Sequence, residues 1–201
     1  MAGCSAEADG AAPVPTATVS FKSGGTPSAV EPTAPSSAPP GRVGTPAPSQ
    51  RISFVPEQVV LPGGANAPVL PATTVDGQLR VPAEAQRVGW WDGGAQAGDP
   101  FGSVVLAGHV DTKTELGFFA RLRNVRRGEV VVLNGSGHTA SYRVVSVVSV
   151  RKDALATKSG AFDQTTDHRL VLITCTGAYD ASNGGYEDNL VVTAQPIGLA
   201  K

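Results

Sequence analysis

No apolar run in the 201 residues approaches the roughly 20 needed to span a bilayer. Cysteine is nearly absent. Cys4 and Cys175 are the only two, far apart in sequence, which excludes a disulfide framework and a zinc site built on paired cysteines. A strong charge of either sign is also missing. The 16 basic and 17 acidic residues leave a net charge of −1 with no basic stripe, so the electrostatic footprint of a nucleic-acid binder is absent. No internal repeat is evident. What is plentiful is glycine, at 24, and proline, at 16, with nine of the prolines in the first fifty residues.

Residues 1–50 are Ala, Pro, Ser, Thr and Gly with few charges and few large apolar groups. Such a segment cannot bury enough surface to offset its ordering entropy. It reads as a disordered, partly polyproline-like tether, reaching roughly 40 Å as a coil. Ala2-Gly3-Cys4 resembles the close of a bacterial lipoprotein signal, in which the cysteine becomes lipidated. On that reading Cys4 is the first residue of the mature protein and the apolar signal lies upstream. A chance Ala-Gly-Cys in an Ala/Gly-rich tail is the alternative. One lipid chain binds membranes only marginally, whereas a diacylated cysteine anchors stably.

From residue 51 the composition changes to that of a folded domain, residues 51–199. Arg51 to Val55 alternates and closes at Pro56, which predicts a short strand. Gln78 to Val81 follows an Asp76-Gly77 turn signal, and Arg87 to Trp91 is another strand candidate. Gly102 to His109 reads as a buried strand ending in a histidine. Leu116, Phe119 and Leu122 share helical spacing, which predicts a short helix over Glu115 to Leu122. Glu129 to Leu133 and Ser141 to Val150 read as strands, and Asp153 to Phe162 holds one helical turn. Arg169 to Cys175 is an apolar, β-favouring run, followed by Leu190-Val191-Val192. Trp90 and Trp91 face opposite ways if they lie in a strand, so one belongs to the core. Many short strands, Gly/Pro turns and little helix predict an all-β sandwich or barrel.

Cys175 ends its strand just before a polar loop, where a thiol is held rigidly yet meets substrate. Alternatively it is a small buried hydrophobe. A catalytic cysteine needs a basic partner, because the thiolate is the nucleophile. Three histidines are available. His138 follows Gly135-Ser136-Gly137 and reads as a solvated hairpin tip. His168 stands at the far end of the Cys175 strand, roughly 20 Å away, and cannot reach the thiol. His109 ends its own buried strand, as Cys175 does, and the polar run Asp111-Thr112-Lys113-Thr114 follows. If the two strands run parallel in one wall, both side chains emerge on the same rim.

Gly102 to Thr112 and Phe118 to Leu122 resemble the histidine region of sortases, and Leu170 to Cys175 resembles their cysteine strand. Arg51 to Pro56, Gly77 to Pro82 and Val88 to Trp91 resemble the early strands of that family. The likeness spans about residues 51–199 and is nearest to the class E/F sortases of actinobacteria. It implies an all-β, eight-stranded sortase barrel with one or two short helices. It also implies a cysteine transpeptidase. The cysteine attacks the Thr–Gly carbonyl of a Leu-Pro-x-Thr-Gly (LPxTG-like) sorting signal, and a peptidoglycan-precursor amine resolves the thioacyl enzyme. Cys175 is then the nucleophile and His109 the general acid. Thr174 precedes the cysteine where the family shapes the oxyanion site, though a β-branched strand former suits the position equally. Sorting-signal proteins and a wall amine are the implied partners, with no nucleic acid and no cofactor. The implied location is the surface of a Gram-positive bacterium, with membrane contact only through Cys4.

One departure stands out. The family carries an arginine just before the last strand, and Glu187 occupies that place by spacing from Cys175. An acidic side chain cannot donate to an oxyanion. Three outcomes follow. Asn189 takes the role with its amide, an arginine such as Arg143 or Arg80 reaches in, or the protein is an impaired or hydrolytic enzyme, or a module that only binds sorting signals or wall peptide. Asn189 is the preferred substitute. Asp111 either orients His109 or caps its loop, the loop role fitting better. Some sortases use calcium, but Asp180 and Asp188 read as turn residues, so no metal site is expected. Arg121, Arg123, Arg126 and Arg127 read as a solvated basic face.

Overall fold

The computed structural model describes residues 51–181 and 185–201. Strands form wherever β-branched and apolar residues recur at a period of two or run continuously. They are β1 (Gln58–Val60), β2 (Asn66–Ala72), β3 (Thr74–Val75), β4 (Gln78–Leu79) and β5 (Val88–Trp91). After these come β6 (Ser103–Gly108), β7 (Val130–Gly135), β8 (His138–Arg151), β9 (Arg169–Asp180) and β10 (Gly185–Pro196). A 3-10 helix covers Phe118–Asn124, and one short α-helix, α1, covers Lys152–Lys158.

Eight strands close a barrel in the order β1-β2-β5-β6-β9-β10-β8-β7, while β3 and β4 pair as a separate hairpin. The all-β, eight-stranded barrel expected from the sequence is what forms. Two neighbouring pairs are parallel, β2 with β5 and β6 with β9. A continuous apolar run signals a strand covered on both faces, and β6 is buried at every residue. Inside the barrel, Val104 and Leu106 of β6 meet Leu170 and Leu172 of β9, Val192 of β10, Trp90, Phe119 and Tyr142. On the outer face, Val105, Ala107, Val171, Ile173 and Val191 form a second cluster. Leu79, Val81, Leu155 of α1 and Phe162 cover it, and Trp91 packs edge-on against Phe162. This alternation decides which β9 side chains face the barrel interior and which face outward.

The tryptophan expectation holds: Trp90 is buried and donates its indole N–H to the Ala95 carbonyl, while Trp91 lies on the outer face. The Asp76-Gly77 turn forms with φ of 51° and 74°, the left-handed pair that a tight hairpin needs. Two expectations need correction, and one pair of strands goes beyond them. Residues 51–55 make only a bridge, Phe54 with Ala97, because both backbone groups of Phe54 pair with that loop residue. Strands β1 and β2 were not foreseen. Pro68 and Pro71 argue against a strand, yet both sit at exposed positions of β2. His138 begins β8 half-buried, its ring 6.0 Å from that of Phe54, rather than standing free at a loop tip. The tether expected over residues 1–50, and Cys4 within it, lie outside the described residues.

Candidate active site

Strands β6 and β9 run parallel in register, Ala107 beside Ile173. Two residues further on, that register brings His109 level with Cys175 at one rim, on the outer face that Ala107 and Ile173 share. The Thr174 hydroxyl locks the two strand ends together by donating to the Gly108 carbonyl at 2.8 Å. Thr174 is buried and shares the parity of Leu170 and Leu172, so its hydroxyl faces the barrel interior, opposite to the thiol.

Asn189 of β10 is the direct ladder partner of Cys175. Cross-strand partners project to the same face, so the carboxamide and the thiol stand side by side. Asn189 is 8% exposed, which makes it one of few buried polar side chains among the described residues. The ladder shifts register between Tyr186 and Asp188, leaving Glu187 as an exposed bulge residue.

His109 is half-buried, and its Nε2 lies 2.9 Å from the Pro82 carbonyl oxygen. A carbonyl only accepts, so Nε2 carries the proton and Nδ1 is the free nitrogen. The loop after His109 is tightly made. Gly117 N–H donates to the Val110 carbonyl, and Thr112 N–H to that of Glu115. A Cβ at Gly117 would stand 2.1 Å from the His109 carbonyl oxygen, so only glycine fits there. No hydrogen bond joins His109 to Cys175 among the described residues.

Cys175 is a half-buried free thiol in an open cleft. Asp111, Thr112, Lys113, Lys152, Tyr179 and Tyr186 line the cleft with it. Burial pushes the thiol pKa up, the Lys152 ammonium pulls it down, and the Asp111 carboxylate adds to the upward push. The Tyr186 hydroxyl donates to Asp111 Oδ2 at 2.5 Å, and this bond raises the phenol pKa. Asp111 thus joins its loop to β10. Tyr179 stacks edge-on against Tyr186 with ring centroids 5.2 Å apart.

The remaining candidates lie elsewhere. His168 is 8% exposed, and its Nε2 is 2.9 Å from the Tyr142 hydroxyl at the other end of β9. Arg143 pairs with Gln195 at the far end of β10 and donates to the Gly128 carbonyl, so it does not reach the thiol. Arg80 follows the β3–β4 hairpin, its N–H bonded to the Thr73 carbonyl. Asp188 accepts from the Ser149 hydroxyl. Among the described residues no cluster of metal-ligating side chains occurs. Arg121 stacks on Phe118, and Arg126 donates to the Arg123 and Val125 carbonyls.

A family model described as a sortase domain matches residues 62–197, about two thirds of the chain. The chain belongs to the sortase family. Solved sortases share its fold. Sortase C-1 from Actinomyces oris is 22% identical with a TM-score of 0.54, over 70% of this chain and 73% of that one. Sortase A from Corynebacterium diphtheriae is 22% identical with a TM-score of 0.55, over 74% and 63%. Sortase A of Listeria monocytogenes is 17% identical with a TM-score of 0.55, over 73% and 89%. At these identities the likeness establishes the barrel alone. No curated protein sequence matches the chain. Sortases are cell-surface cysteine transpeptidases that act on sorting-signal proteins and wall amines. No helix among the described residues is long and apolar enough to cross a membrane.

Sequence reasoning overlooked three participants in this sortase site: Lys152, Tyr186 and the Pro82 carbonyl. Lys152 enters because Arg151 pairs with Asp188, a register that no local pattern reveals. Tyr186 directly precedes Glu187 in sequence, but its partner is 75 residues away. A backbone carbonyl carries no residue-type signal at all.

Proposed function

We propose that the chain cleaves an LPxTG-like C-terminal sorting signal through a Cys175 thioacyl enzyme and passes the acyl group to a cell-wall amine. The observation that carries this reading is the in-register parallel pair of β6 and β9, with His109 and Cys175 ending at one rim. The thiol proton passes to His109 Nδ1, and the sulfur attacks the Thr carbonyl carbon. The carbonyl π pair moves onto oxygen, where the buried Asn189 amide donates to it. Collapse breaks the C–N bond, and His109 returns the proton to the departing glycine amine. A second amine then attacks the thioester and releases Cys175. Thr174 acts through position, by fixing the strand end that carries the thiol.

A hydrolytic or impaired enzyme is the second reading. It is favoured by Glu187 at the place expected for an arginine and by the upward push on the thiol pKa. We assign the chain to the class E/F sortases of actinobacteria, acting at a Gram-positive surface and lipid-anchored through Cys4. Incubating the full chain with a sorting-signal peptide, with and without an amine acceptor, separates the readings by product mass. The transpeptidase gives the amine adduct, the hydrolase gives the free acid in both reactions, and an inert binding module gives neither.

A further inference from the structure

Developing negative charge on a carbonyl oxygen is held by hydrogen-bond donors, and a positive group at the reacting end adds to them. The β10 position where an arginine was expected holds Glu187, and that side chain is exposed on a bulge. The neighbouring strand supplies a cation at the same level. Strand β8 pairs with β10 up to Arg151 opposite Asp188, and the next residue is Lys152. The chain therefore leaves the ladder beside the bulge, and Lys152 enters the wall of the Cys175 cleft. Its Nζ stands 4.0 Å from where a Cβ on Gly185 would be, and the Tyr179 ring edge stands 3.9 Å from the same point. Beside it, Arg151 pairs with Asp153 at 3.4 Å.

We infer that Lys152 is the catalytic cation of this site, binding the reacting carbonyl oxygen of the sorting signal as it becomes an oxyanion. The inference rests on the proposed function. A cation is kept at the site but moved by one strand: an acid stands on β10 where an arginine was expected, and a lysine stands on the end of β8 beside it. An ammonium on a flexible stem is a point charge and lacks the guanidinium's flat two-pronged grip. This sortase therefore holds the oxygen with one ammonium and the Asn189 amide together. Electron flow is unchanged: the sulfur–carbon bond forms, the carbonyl pair moves to oxygen against the ammonium, and no proton leaves Lys152.

The test follows single-turnover thioacyl formation by intact mass in the full chain and in Lys152→Met, Lys152→Arg and Arg143→Gln. Lys152→Met should acylate about 100-fold more slowly, mostly in kcat. Lys152→Arg should recover much of the rate. Arg143→Gln, which removes one charge at the far end of the barrel, should stay at the wild-type rate. Lys152 is exposed, so folding is preserved; thermal melts check it. Wild-type acylation in Lys152→Met, or no recovery in Lys152→Arg, overturns the assignment. If the wild-type chain itself never acylates, the proposed function falls, and Lys152 is judged by iodoacetamide alkylation of Cys175 across pH. An upward move of the alkylation midpoint in Lys152→Met places the ammonium at the sulfur, and an unmoved midpoint overturns that placement.

Discussion

Cys175 and Asn189 are direct partners in the β9–β10 ladder, so a buried carboxamide stands on the same face as the thiol. The role expected of an arginine is open to this amide, whose N–H₂ donates and whose charge is zero. Replacing Asn189 by Ala should lower kcat for thioacyl formation by about 100-fold with little change in KM. Asn189→Asp should be worse, because a second carboxylate then faces the thiol beside Asp111. Stopped single-turnover assays measure both, and an unchanged kcat in Asn189→Ala removes the amide from the oxyanion site.

Glu187 is an exposed bulge residue. Removing its charge should therefore do little to the fold. Glu187→Gln is expected to shift stability by no more than about 0.5 kcal/mol in urea unfolding. A loss of several times that amount would show that the side chain is held in a contact.

His109 presents Nε2 to the Pro82 carbonyl at 2.9 Å. The neutral imidazole is therefore expected as the Nε2–H tautomer. Nitrogen NMR of the imidazole reads this directly, and a proton on Nδ1 would contradict the orientation. His109→Gln should abolish acylation while leaving Cys175 open to alkylation.

Tyr186 and Asp111 close one side of the cleft with a single hydrogen bond. Tyr186→Phe removes it without removing the ring stacked on Tyr179. Alkylation of Cys175 by a bulky maleimide should then speed up more than alkylation by iodoacetamide. Equal acceleration would mean that the bond tunes the thiol and does not limit access.

His168 gives a prediction about stability. Burial holds its pKa below the ordinary 6.5, against the favourable Phe101 backbone and Asp99, with Arg51 adding to the downward push. Tyr142 meets its Nε2. The unfolded chain therefore takes up the proton first. Stability from this residue is full above about pH 6.5 and is lost as the pH falls from there through the folded-state value. Urea midpoints between pH 7.5 and 5 should fall in the wild type and fall less in His168→Gln.

Much of the barrel was legible because its signals are local. The continuous runs of β6 and β9 reveal burial on both faces, and Asp76-Gly77 reveals a turn. The strand ends at His109 and Cys175 were legible for the same reason, and only their parallel register needed the fold. Strands β1 and β2 were hidden by Pro56, Pro62, Pro68 and Pro71, because proline's cost depends on whether its missing donor faces a partner. Asn189 could be preferred from its chemistry alone. Lys152 could not, since it reaches the cleft through the pairing of β8 with β10.

A covalent bond between Cys175 and the sorting-signal threonine carbonyl is the step on which the proposed activity turns, and trapping it is the most direct test. The full chain is incubated with an LPxTG-like peptide without an amine, quenched in acid and analysed by intact mass and peptide mapping. An adduct of the peptide through its threonine, carried by Cys175 and absent from Cys175→Ala, is the predicted result. An unmodified Cys175 in folded protein that still alkylates, or an adduct on another residue, would contradict the account.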